Sequence, residues 1–254
     1  MSKGDRQRSA RDRLTEERAR NAKREKRRSR MLITVIAVVG LALVVSIGVW
    51  AVNSNEEKTA KATAYTGPLA PITRESTGAI TMAESGVSTP LLEIFEDFQC
   101  PVCKSFETTS GDTIKKLAAE GKVKVVYWPF QLFQQQPLSG NSRRAANAAL
   151  CTPTQQWVSY HDTLYKNQPA EGTTGFSNSS LKSWGRDLGV ADPNFDTCVD
   201  NQQMTGRLDQ MTKTATGTRG VQGTPTVYLN GKSLDLSNQL LQPTVLQQTI
   251  EAAK

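Results

Sequence analysis

Phe95-Glu96-Asp97-Phe98-Gln99-Cys100-Pro101-Val102-Cys103-Lys104 begins in the apolar, β-prone run Pro90-Leu91-Leu92-Glu93-Ile94-Phe95-Glu96 and ends in a helical pattern. Two cysteines spaced by two residues therefore lie where a strand stops and a helix starts. The helical pattern is expected to break near Ser110-Gly111-Asp112 and to resume through Thr113-Ile114-Lys115-Lys116-Leu117-Ala118. Val123-Lys124-Val125-Val126-Tyr127-Trp128 reads as the next strand, closed by Pro129, and completes a β-α-β unit. Gly78-Ala79-Ile80-Thr81-Met82 reads as a short first strand.

Downstream the pattern changes. Ser142 to Leu150, Thr154 to Lys166, Ser177 to Leu188 and about 194 to 216 read as helices, a helical insertion over about 138–218. Strand pattern returns at Gln222-Gly223-Thr224-Pro225-Thr226-Val227-Tyr228-Leu229. Asn230-Gly231 is a two-residue hairpin signal, Lys232 to Leu236 the answering strand, and a last helix follows Pro243.

Upstream, charge and hydropathy divide the chain. Residues 1–30 hold thirteen Lys or Arg against five Asp or Glu, a net of +8, so the other 224 residues carry −1 within the whole-chain +7. The basic balance belongs to a tail without interleaved aromatics, which argues against nucleic acid as a partner. Met31 to Val52 is 22 residues without a charge, long enough as a helix to cross a hydrocarbon core of about 30 Å. Lys23-Arg24-Glu25-Lys26-Arg27-Arg28 before it and Asn53-Ser54-Asn55-Glu56-Glu57 after it place the N-terminus in the cytoplasm and residues 53–254 outside. Trp50 suits the outer interface. The apolar run exceeds a usual signal-peptide core, which favours an uncleaved single-pass anchor over a cleaved leader. Residues 53–76 read as a linker, and the folded domain is expected over 77–254.

All four cysteines lie at or beyond position 100, on the outer side, where disulfides persist. A zinc site is disfavoured, because no second two-cysteine knuckle exists and the sole histidine, His161, has no partner at ligand spacing. The thiolate is the attacking species in disulfide exchange, and a helix N-terminus lowers a thiol's ordinary pKa of about 8.5 through unpaired N–H groups and the helix dipole. Cys100 is thus the expected nucleophile, with Pro101 at the first helical position. Cys103, nearly one turn on, can close a disulfide with it or resolve a mixed disulfide. A short structural disulfide remains the competing reading. Val102 cannot donate a side-chain hydrogen bond to the thiolate, so an oxidant milder than about −120 mV is expected.

The segment from Phe95 to Lys104 resembles the active-site segment of DsbA-like thioredoxin-fold oxidoreductases of cell envelopes. The insertion, Gly223-Thr224-Pro225-Thr226 and the closing hairpin and helix extend the resemblance over 77–254. It implies an α/β thioredoxin fold, here preceded by one transmembrane helix. It also implies a cis-proline wall in which Pro225 packs beside the cysteine pair and Thr224 presents backbone to substrate. The family places a glutamate six residues before the first cysteine as a proton carrier, whereas this chain has Ile94 there and Glu93 one residue earlier, turned to the other face by strand alternation. A bulge restoring Glu93, or Glu96, or water, could serve instead. Asp97 reads as a structural or capping carboxylate, and His161 as a helix-surface or core residue.

Cys151 and Cys198, 47 positions apart, are expected to pair as in actinobacterial members of the family, with a regulatory second redox pair as the alternative. The implied activity is oxidation of reduced exported proteins, with reoxidation by a DsbB-like or vitamin K epoxide reductase-like membrane protein. No cofactor or metal is called for. A reductase or isomerase, as in cytochrome c maturation, and an anchored peptide-binding chaperone are the competing functions.

Overall fold

The computed structural model describes residues 65–253. The expected tail (1–30) and membrane span (31–52) lie outside the described residues, as does the first half of the linker, 53–64. Among the described residues no helix is long and apolar enough to cross a membrane. The sheet is ordered around the strand that feeds the cysteine motif, β3 (Leu91–Glu96), in which every residue but Leu91 is buried. A run this apolar has to be covered on both faces. It pairs in parallel with β4 (Lys124–Pro129) and antiparallel with β5 (Thr226–Leu229). Outside β4 lie β2 (Ile80–Met82) and β1 (Ile72–Arg74), and outside β5 lies β6 (Lys232–Ser233), giving the order β1-β2-β4-β3-β5-β6.

Strand β1 falls inside the stretch read as linker. Its one apolar anchor, Ile72, packs partly buried on the core, and the Arg74 guanidinium donates to the Thr152 carbonyl at 2.7 Å. A three-residue strand held by backbone pairing to β2 leaves no alternation to read. The closing strand is likewise shorter than expected. Asn230 (φ 49°) and Gly231 (φ 78°) both adopt the left-handed turn conformation that a tight hairpin requires, but pairing stops at Ser233.

Helix α1 (Pro101–Ala119) crosses the expected break without interruption. Ser110 and Gly111 are buried there, Ser110 Oγ donates to the Leu240 carbonyl at 2.5 Å, and a Cβ on Gly111 would stand 2.7 Å from the Glu107 carboxylate. The glycine is packed beside the Glu107 carboxylate within the helix rather than stopping it.

The insertion comprises α2 (Leu138–Cys151), α3 (Trp157–Lys166), α4 (Asn178–Asp187), α5 (Phe195–Asp200) and α6 (Thr205–Lys213). The single helix read over about 194–216 is therefore two. Gln202 turns the chain at φ 48°, and the Asn147 side-chain carbonyl accepts the Met204 N–H at 2.9 Å, so α6 starts afresh. Buried alanines 145, 146, 148 and 149 let α2 pack closely, in a core that holds Tyr160, Leu181, Phe195, Leu208 and both motif cysteines. A second core joins Leu92, Ile94, Phe106, Tyr127 and Trp157 to Leu246 and Ile250 of α7 (Pro243–Ala252). The motif is thus seated on the insertion, not only on the sheet.

Candidate active site

Cys100 is the N-cap residue of α1 (φ −78°, ψ 118°), and Pro101 opens the helix, where its missing N–H costs nothing. Three side chains from outside the motif hold the approach to it. Asp97 is fully buried and accepts from Gln99 N–H (2.9 Å), Leu132 N–H (2.8 Å) and Ser142 Oγ (2.9 Å). Gln168 Nε2 donates to the carbonyls of Phe98 (2.8 Å) and Cys100 (2.9 Å), and Asn141 Nδ2 donates to the Gln99 side chain at 2.7 Å. Asp97 is structural, as expected. Gln168 and Asn141 come from the insertion and escaped sequence reading, because a polar residue distant in the chain carries no pattern.

The cysteine pair stands as two thiols, with Cys100 only 5% exposed and Cys103 fully buried. Pro101 and Val102, 38% exposed, form an apolar rim beside them. Across from Cys100, the Thr224-Pro225 bond is cis, and the Thr224 carbonyl accepts from Cys100 Sγ at 3.4 Å. The Thr224 hydroxyl is buried without another partner and free to donate to the thiolate. The Cys103 thiol as donor, against opposing burial, then Thr224 and the Cys103 and Val102 amides, bring the Cys100 pKa down to about 7. Burial first, then the Cys100 and Glu96 charges, pushes Cys103 well above its ordinary value. The two thiols are therefore chemically unequal: one ionises near neutrality and the other holds its proton.

Of the two glutamates weighed for proton transfer, Glu93 lies elsewhere. Regular pairing opposite Val126 and Tyr228 leaves no bulge, and Glu93 ion-pairs with Arg219, whose guanidinium covers the Phe95 and Tyr228 rings at 5.5 and 5.7 Å. Glu96 shares the face of Ile94, two residues nearer the motif, and is fully buried. Its Oε1 lies 2.6 Å from His161 Nε2, while Oε2 has no hydrogen-bond partner.

His161 is in the core, boxed by Phe98, Tyr127, Trp157 and Tyr165 with ring centroids 5.0 to 5.6 Å away. Its Nδ1 meets Asp162 Oδ1 at 3.2 Å, and Asp162 Oδ2 accepts from Lys115 Nζ at 2.6 Å. Burial alone would lower the His161 pKa, but the charge of Glu96 and the hydrogen bonds of Asp162 and Glu96 override it and raise it to about 10. Burial holds Glu107 up at about 8. Glu96, Glu107 and His161 bring one donor atom each within 4.8 Å of one another, and two of the three are joined by the short His161–Glu96 hydrogen bond. One signal for His161 existed: it lies four residues after Trp157 and four before Tyr165, on one helix face.

Cys151 and Cys198 form a disulfide with Cα atoms 5.9 Å apart, tying α2 to α5 and buried on both sides.

A protein-family model described as thioredoxin matches residues 88–252. The reduced form of a disulfide bond oxidoreductase (DsbG) from Mycobacterium tuberculosis is 28% identical, with TM-score 0.58 over 67% of this chain and 82% of that one. The reduced DsbA of Mycobacterium tuberculosis is 27% identical, with TM-score 0.57 over 67% of this chain and 86% of that one. The MdbA protein of Actinomyces oris, a thiol-disulfide oxidoreductase, shares the fold at 22% identity and TM-score 0.59, over 70% and 89% of the two chains. No curated protein matches the sequence significantly.

Proposed function

The chain belongs to the thioredoxin family and is a thiol:disulfide oxidoreductase of the DsbA type, and from this premise we propose that it is an oxidase that introduces disulfides into exported proteins outside the cytoplasm. The observation that carries this reading is Cys100 at a helix N-terminus with its pKa drawn down to about 7. A stabilised Cys100 thiolate is a better leaving group than an ordinary thiol, which favours release of the substrate disulfide, and the oxidising direction is read from the extracytoplasmic compartment that the uncharged run 31–52 implies.

In the oxidised protein a substrate thiolate attacks Cys100 Sγ, the Cys100–Cys103 bond breaks, and Cys103 leaves with the electron pair and takes up a proton. A second substrate thiolate then attacks the substrate sulfur of the mixed disulfide. The substrate disulfide forms and Cys100 departs as its thiolate, so two electrons have passed from substrate to protein. An extended substrate segment runs along Thr224 and the Pro101–Val102 rim, which suits reduced, unfolded chains better than folded ones. A DsbB-like or vitamin K epoxide reductase-like membrane protein removes the two electrons. The uncharged run 31–52 anchors the domain beside that partner, with the basic tail inside.

The test mixes the oxidised full-length chain with a reduced, unfolded protein and counts disulfides gained. Wild type is expected to oxidise it stoichiometrically and Cys100→Ser not at all, with a reduction potential between about −120 and about −270 mV. A potential at or below the thioredoxin end would make the protein a reductase. A Cys100→Ser variant that still raised the disulfide yield as wild type does, when a glutathione buffer supplied the oxidant, would make it a peptide-binding chaperone.

A further inference from the structure

We propose that Glu96, His161 and Asp162 form a proton relay that joins the buried Cys103 thiol to solvent. The inference rests on Cys100 and Cys103 being the working pair and asks how the deeper thiol changes its protonation state. Cys103 is fully buried, yet every turnover adds or removes its proton. A line of titratable groups runs from Glu96, whose charge raises the Cys103 pKa, to His161 at 2.6 Å and on to Asp162 at 3.2 Å. Asp162 is the point of exit, with a side chain 22% exposed, and its other oxygen is held by Lys115 at 2.6 Å, beside Asp112 at 3.6 Å. Glu96 Oε2 is buried without a partner, and the Glu96 charge is felt at Cys103.

Protons and charge balance through the cycle. With the pair reduced, Glu96 is a carboxylate and His161 an imidazolium. When Cys103 attacks a mixed disulfide on Cys100, its proton passes to Glu96 Oε2, the Cys100–Cys103 bond forms and the partner thiolate leaves. His161 then releases its Nδ1 proton through Asp162 to water and keeps Nε2–H donating to Glu96 Oε1. The buried site is neutral before and after, and one proton has reached solvent. Reduction runs the same transfers backward. Other groups facing the line are Glu107 and Lys115 on α1, Tyr127 on β4 and Tyr165 on α3. Glu107, raised to about 8 by burial, keeps its own proton at neutral pH, so it adds no second negative charge there.

The test uses the reduced full-length chain and an aromatic disulfide that releases a coloured thiolate. The first release is bimolecular and reports attack by Cys100. The second is unimolecular and reports resolution by Cys103. Wild type is expected to show a second phase nearly independent of pH around neutrality. In His161→Gln and Asp162→Asn it should slow about tenfold and follow hydroxide concentration, and Glu96→Gln should slow it about a hundredfold. Absence of both phases in wild type would defeat the reading of the pair itself. A normal first phase with an unaltered second phase in the folded variants would overturn the relay alone. Should His161→Gln lose the first phase through misfolding, Asp162→Asn, at the solvent end, decides. Because His161 is the sole histidine in the chain, its imidazole NMR signals give a second readout: imidazolium in the reduced protein and neutral in the oxidised one at pH 7. The same charge in both redox states would also overturn the relay.

Discussion

Cys100 owes its lowered pKa to groups that donate to the thiolate, and the Val102 side chain offers nothing to it. Val102 is 38% exposed, so a larger polar side chain fits there without disturbing the core. Val102→His, which brings a donor and a partial positive charge beside the thiolate, is expected to lower the Cys100 pKa by roughly one unit and make the protein more oxidising. Thiolate absorbance against pH and equilibrium with a glutathione buffer measure the two effects, and a pKa that stayed near 7 would show that the Cys103 thiol, Thr224 and the helix-terminal amides already saturate the site. Residues of this kind were legible in the sequence. Two cysteines at a strand-to-helix junction, a distant Thr224-Pro225 and Ile94 in place of a carboxylate are local facts. What replaces that carboxylate was not legible beyond a choice among Glu93, Glu96 and water. The decision lies in His161, 65 positions from Glu96, and the sequence marks His161 only as one more residue on an aromatic helix face.

Among the elements, β3, α1 and β4 follow from periodicity, because each carries a long apolar run or stripe. Strand β1 and the break between α5 and α6 do not, because backbone pairing and one Asn147 hydrogen bond decide them. The Ser110-Gly111 break was misread for a related reason: local propensity counts against a helix there, while burial of both residues and the Ser110 hydrogen bond to the Leu240 carbonyl hold the helix through it. The insertion acts as a clamp on the motif, through Gln168, Asn141 and Ser142, and the Cys151–Cys198 disulfide ties two of its helices. Both sulfur-bearing residues are buried, so a substrate does not reach them in the folded state. Replacing both by serine is expected to cost about 4 kcal/mol in denaturant unfolding of the reduced-motif protein, from the loop of 47 residues that the bond closes. Under conditions where the variant is folded, Cys100 should attack an aromatic disulfide at the wild-type rate. A slower attack would mean that the second pair takes part in the chemistry.

At the scale of the whole molecule, the buried charges that serve the thiols also set how stability varies with pH, and their signs can be worked through. Wherever the folded state binds more protons than the unfolded chain, stability falls as pH rises. Glu107 has its pKa raised from 4.5 to about 8, so between these values the unfolded chain has lost a proton that the folded protein keeps, and stability declines. His161 is raised from 6.5 to about 10, so its contribution is fully present below 6.5 and is lost as pH climbs through 10. Cys100 works the other way: lowered from 9.0 to about 7, it stabilises the reduced protein above 9 and that contribution is lost as pH falls through 7. Cys103, raised above 9.0, adds nothing below that pH, and the lowered Asp162 acts only near and below 3.8. The thermal midpoint of the reduced protein is therefore expected to fall between about pH 5 and pH 8, where Glu107 and then His161 prevail, and to flatten between about 8 and 9, where Cys100 offsets His161. His161→Gln removes the histidine's share, leaves Cys100 offset by Glu107 between about pH 7 and 8 and unopposed above about 8, and should turn the flat portion into a rise. Calorimetric scans of the two proteins across that range, under reducing conditions, test the assignment: a midpoint that rose from pH 5 to 8 in wild type would mean that Glu107 and His161 are not the proton-holding groups of the folded state.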